Sequence, residues 1–103
     1  MLKNFYEKTT HKIEVTINYN GAVPNITQDT VTIVFKTKKD GEAVLTKNAD
    51  VSTSGATGIA KFNLSKIDTA LPPGNYYYEI FWTLSNSEEY VIDAGKVNIL
   101  NRI

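Results

Sequence analysis

No cysteine occurs in the 103 residues, so disulfides and thiolate metal sites are excluded at once. That absence fits a chain folded in a reducing compartment. Long apolar runs are missing too: none approaches the roughly 20 residues that span a bilayer, and a membrane partner is not expected. The first residues, Met1-Leu2-Lys3-Asn4-Phe5-Tyr6-Glu7, hold no apolar stretch of the kind a secretory signal needs. Nor is either sign of charge in excess, since eleven basic residues face eleven acidic ones. A nucleic-acid binder uses a basic surplus to neutralise phosphates, and this chain has none to offer. Histidine occurs once, as His11. No nucleophile elbow, phosphate loop or paired-histidine zinc motif accompanies it. Acidic residues such as Asp29, Asp40, Asp50, Asp68 and Asp93 stand apart at turns and strand ends, where aspartate serves the backbone. Glu88-Glu89 reads as a solvated hairpin tip. Catalysis, a cofactor and a metal are therefore not expected.

What the chain does have is aromatic residues in one place. Leu71-Pro72-Pro73-Gly74 forces a turn, and Asn75-Tyr76-Tyr77-Tyr78-Glu79-Ile80-Phe81-Trp82-Thr83-Leu84 follows it. Tyr76, Tyr78, Ile80, Trp82 and Leu84 share one parity, so on a strand they share one face. A second layer must cover that many large side chains. Parity leaves Tyr77 and Phe81 on the opposite face, about 13 Å apart.

The rest of the sequence reads as that layer and its connections. Residues 11–20 alternate Ile13, Val15, Ile17 and Tyr19 against polar neighbours. Thr30 to Thr37 turns Val31, Ile33 and Phe35 inward and Thr32, Val34 and Lys36 outward. Asp40-Gly41 marks a hairpin. Ala43 to Lys47 gives a short, lysine-flanked edge strand with Val44 or Leu45 as its buried contact. A short strand is expected around Val51, and Ala60, Phe62 and Leu64 form the inner row of another. Ser65 to Ala70 suits a single helical turn. Tyr90 and Ile92 open the return strand, Gly95 suggests a bulge, and Val97, Ile99 and Ile103 close the sheet. Seven or eight short strands with turn signals every 8–12 residues predict an all-β, immunoglobulin-like antiparallel β-sandwich at residues 12–103. Residues 1–11 lack a clear period and read as an N-terminal arm.

Two groups are candidates for binding a partner. Leu2, Phe5 and Tyr6 give the arm an apolar docking face. Tyr77 and Phe81 offer outward rings that suit a protein contact or, less favourably, a sugar. Asn25-Ile26-Thr27 and Asn63-Leu64-Ser65 match the glycosylation triplet and read as coincidence, Asn63 falling inside an expected strand.

Four pieces, in order, resemble the Ig-like domain of bacteriophage virion proteins, notably baseplate upper proteins. They are Thr30-Val31-Thr32-Ile33-Val34-Phe35-Lys36 with Lys39-Asp40-Gly41; Gly58-Ile59-Ala60-Lys61-Phe62-Asn63-Leu64; Pro73-Gly74-Asn75-Tyr76-Tyr77-Tyr78-Glu79-Ile80; and Ala94-Gly95-Lys96-Val97-Asn98-Ile99. The resemblance spans Asp29 to Ile99 and implies a non-catalytic structural module of a phage particle, made in the bacterial host cytoplasm and located in the virion. A chain that ends at Arg102-Ile103 looks more like a capsid auxiliary or decoration protein than like the opening domain of a baseplate protein. Its expected partners are other virion proteins, the major capsid protein first, and a homo-oligomer is compatible with that role. The alternatives are a tail or baseplate component, or a bacterial surface Ig-like module that binds glycan or protein.

Overall fold

Strict alternation buries one side of each central strand. Val31, Ile33 and Phe35 are sealed from solvent, as are Ala60, Phe62 and Leu64, while Tyr76, Tyr78, Ile80 and Trp82 are nearly so. These rows belong to seven strands in a computed structural model that describes residues 2–103. In chain order they are β1 (Phe5–Tyr6), β2 (His11–Thr16), β3 (Thr30–Lys36), β4 (Ala43–Asn48), β5 (Ile59–Leu64), β6 (Gly74–Thr83) and β7 (Glu89–Leu100). The chain is thus all-β, with a single short 3₁₀ turn at Gly55–Thr57 among the described residues. No helix there is long and apolar enough to cross a membrane.

The strands form two sheets. One has five strands in the order β1-β7-β6-β3-β4, and the other pairs β2 with β5. Every pairing is antiparallel except β1 with β7, which is parallel. Inner rows of both sheets meet in one apolar cluster, with Ile13, Val15 and Leu45 packed against it. One core of this kind supplies the second layer that the β6 row requires.

The polar tips of the buried aromatics are all satisfied, as burial demands. Trp82 Nε1–H donates to Asp29 Oδ2 at 2.9 Å, and Asp29 Oδ1 accepts the Ser85 N–H at 3.1 Å. Tyr78 donates to Asp93 Oδ2 at 2.9 Å and accepts the Leu2 N–H at 3.0 Å. Tyr76 reaches back to the carbonyl of Pro72, closing the corner that leads into β6. Burial pushes both tyrosine pKa values up.

Several local expectations change in the structure. Residues 1–11 do not stand apart as an arm. Phe5–Tyr6 pairs with Ile99–Leu100, and Phe5 is only 5 % exposed within the core cluster. The carboxylate of Glu7 accepts the Arg102 N–H at 3.1 Å, and Thr69 Oγ1 donates to the Thr9 carbonyl while accepting the Thr9 N–H. Met1, the first residue of the expected arm, lies outside the described residues. The bulge in β7 falls at Ile92, because Ile80 pairs with Asp93 and Phe81 with Val91. Gly95 serves a different need: a Cβ there would sit 3.3 Å from Tyr78 Cε1, so the missing side chain makes room for that ring. Around Val51 the pairing shrinks to one bridge, Asp50 with Lys61. Ile103 lies beyond β7 and is fully exposed, so it does not close the sheet. The single turn expected at Ser65 to Ala70 is present: the Thr69 N–H binds the Ser65 carbonyl at 3.0 Å, the Ser65 N–H binds Asp68 Oδ2 and the Asp68 N–H binds Ser65 Oγ. Those bonds and nearby Lys47 hold the Asp68 carboxyl below its ordinary pKa.

Candidate interaction surface

The register of the five-stranded sheet arranges its outer side in cross-strand rows. One row runs Asn48, Thr32, Phe81, Val91, the next Thr46, Val34, Glu79, Ala94, and a third Lys36, Tyr77, Lys96. Nothing among the described residues forms a layer over these rows. Val91 is 60 % exposed and Val44, on the edge strand, 45 %. Tyr77, Phe81 and Val34 are half-buried by their neighbours in the sheet. Thr32 is the exception, buried and donating to Asn48 Oδ1 at 2.9 Å.

Around Tyr77 the face sinks into a hollow of about 540 Å³. Lys36 and Lys96 flank the ring from the neighbouring strands, and Lys39 reaches it from the β3–β4 turn. The Lys96 ammonium lies 5.6 Å from the ring centroid and that of Lys39 5.9 Å. At such distances the ring's negative face attracts each cation. Ion pairs among the described residues join Lys8 to Glu7 and Lys47 to Asp68. Lys36, Lys39 and Lys96 therefore have no acidic partner there, although Asp40 and Glu79 also line the hollow. The arrangement can hold an anion on the ammonium groups that gather around the ring.

The structure divides the sequence-predicted binding residues. Tyr77 and Phe81 lie on the same outer side, separated by Glu79. Phe5 is used by the fold, its ring stacked on His11 at 4.6 Å and edge-on to Phe35 at 6.1 Å. Leu2 is half-buried, with its N–H bound to Tyr78, and Tyr6 is 53 % exposed. Those three residues do not form one free docking face. Sequence reasoning missed the lysines. Lys36 and Lys96 lie sixty positions apart, and only the pairing register through Tyr77 brings them together.

A second aromatic group sits at the opposite end of β6. Tyr19, Trp82 and Tyr90 have ring centroids 5.6–5.8 Å apart. Tyr90 donates to Glu88 Oε2 at 2.9 Å. Hydrogen bonding to Tyr19 and Glu88 raises its pKa well above the phenol range. The rings turn to one another, so the group closes that end of the core. No cluster of three or more histidine, aspartate or glutamate side chains among the described residues could hold a metal ion. Compared with known proteins, the chain matches no protein-family model and no curated sequence.

Proposed function

We propose that this chain is a non-catalytic, Ig-like structural module of a bacteriophage particle, a capsid auxiliary protein that docks on the major capsid protein through the outer side of its five-stranded sheet. The observation that carries the docking role is that open side, where Phe81, Val34, Val91 and Tyr77 have no covering layer. An uncovered apolar strip with a polar rim is the usual mark of a protein interface.

Three features support the Ig-like reading. The order β7-β6-β3-β4 against β2-β5 follows the division of an Ig domain into a front sheet with one added edge strand and a back sheet. The Tyr76 hydroxyl, bound to the Pro72 carbonyl four residues upstream, is the tyrosine corner typical of such sandwiches. The four pieces that resemble phage Ig-like domains fall on β3 with its turn, β5, β6 and β7. Two features depart from antibody domains. The disulfide is absent, and the buried tryptophan stands on β6 rather than on the third strand of the pattern.

Quantitative mass spectrometry of purified particles tests the role. A copy number that matches the capsid lattice is expected. A number matching a tail or baseplate ring would move the protein to that assembly, and absence from particles would end the virion reading. In that last case the bacterial surface module remains, and cell fractionation would locate it.

A further inference from the structure

We propose that the hollow around Tyr77 is a receptor for a carboxylate-bearing peptide segment of the docking partner. The proposal rests on the reading of the outer side as a docking surface, and it names the chemistry that surface recognises. The ammonium groups of Lys39 and Lys96 converge on one half-buried ring, and Lys36 lines the same hollow. No acidic side chain among the described residues pairs with any of them. Cations gathered this closely repel one another, and an incoming carboxylate relieves that repulsion while gaining charge-assisted hydrogen bonds. Lysine suits the task here, as three flexible point charges that can adapt to one or two carboxylates.

The same geometry argues against the other anions and against neutral sugars. A sugar ring stacking on Tyr77 needs a free aromatic face, and Lys39 and Lys96 already hold their ammoniums over that ring. A nucleic-acid backbone would bring a run of phosphates past Asp40 and Glu79, on a chain with no net charge. A short acidic segment needs to place only one or two carboxylates among the lysines of the hollow. Val34 and Ala94 line the hollow on either side of Glu79 and offer a small contact to apolar residues beside those acids.

Titration of the isotope-labelled full chain with a hexa-aspartate peptide, followed by amide chemical shifts, tests this. Trigalacturonate and hexa-lysine are the comparison probes. Hexa-aspartate is expected to move the signals of Lys36, Tyr77 and Lys96, with hexa-lysine giving no response there. Each of Lys39→Gln and Lys96→Gln, which keep much of the aliphatic stem, should weaken binding up to about fivefold, and the double variant more. A rise from about 0.05 M to about 0.5 M salt should weaken it further. A spectrum with undisturbed dispersion shows that the variants are folded. Equal affinity in the double variant, shifts confined to another surface, or tighter binding of trigalacturonate at this hollow would each overturn the proposal. Peptide binding by a protein absent from purified particles would leave this inference standing and remove the virion reading. A capsid-bound protein whose hollow ignores the peptide would do the reverse.

Discussion

The two faces of β6 differ by one residue in register and by everything in chemistry. Tyr76, Tyr78, Ile80 and Trp82 face the core, and each polar tip among them is bound within the chain: to Pro72, to Asp93 and Leu2, and to Asp29. Tyr77, Glu79 and Phe81 face outward, and the charged groups around Tyr77 have no ion-pair partner among the described residues. The inner face spends its hydrogen bonds on folding and has none to give a ligand. The outer face contributes less to the fold and keeps its charges available. Aromatic richness alone therefore says little about binding; what matters is whether the polar groups around the rings are already committed.

That contrast predicts a steep gradient of mutational effects. Trp82→Ala should be the most damaging, at roughly 3–5 kcal/mol, since it opens a cavity and strips Asp29 of its indole donor. Denaturant unfolding would measure it, and a near-native value would mean that the indole is not packed as described. Phe5→Ala should follow at about 3 kcal/mol, because that ring is part of the core. Deletion of residues 1–10 is expected to lower the melting temperature sharply, whereas a loosely held arm would come away without cost. Tyr76→Phe keeps the packing and removes only the bond to Pro72, for about 1 kcal/mol. On the outer face Tyr77→Ala should change stability by no more than about 0.5 kcal/mol while reducing capture by particles. A large loss of stability from Tyr77→Ala would erase the distinction between the two faces.

Much of this was legible in the sequence, and the parts that were not share a cause. Period-two alternation identified the buried rows of β3, β5 and β6, because a strand with one wet face writes its orientation residue by residue. Alternation cannot say which strand lies beside which. Strand β1 has two residues and its partner Ile99–Leu100 lies ninety-four positions away, so no local pattern marks it. The hollow depends on the same non-local information: Tyr77 was picked out by parity, but its lysines come from two other strands and a turn. Glycine misled for another reason. Gly95 has the composition of a bulge, yet its role is to admit the Tyr78 ring from the paired strand, and the extra residue is Ile92. The irregularity at Phe35/Lys36 likewise decides between Val44 and Leu45. It sets Leu45 opposite Phe35 and half-buries it, leaving Val44 exposed.

The smallest expected effect concerns pH, and it probes the join between the N-terminal segment and the core. His11 is half-buried, with its ring stacked on Phe5 at an interplanar angle of 18°, and burial lowers its pKa from the ordinary 6.5. Protonation is therefore harder in the folded chain than in the unfolded one. As pH falls past about 6.5 the unfolded state takes up the proton first, so stability declines through that value. The decline ends once the folded group's own lower pKa is passed. Above pH 7 the contribution is complete. This is the only histidine, and the carboxyls with shifted values, Asp50, Asp68 and Glu88, are all held below their ordinary acid range. Between about pH 7 and 5.5 the histidine is thus the side chain to follow, and a His11 variant separates its share from that of the α-amino group. Urea midpoints should fall slightly across that interval in the wild type. His11→Phe, which keeps a stacked ring without a titrating group, should flatten the dependence. A decline that persists unchanged in His11→Phe would assign the titration to another group, such as the α-amino group. The outer face holds no histidine, so acidic-peptide capture at the hollow should not change over the same interval.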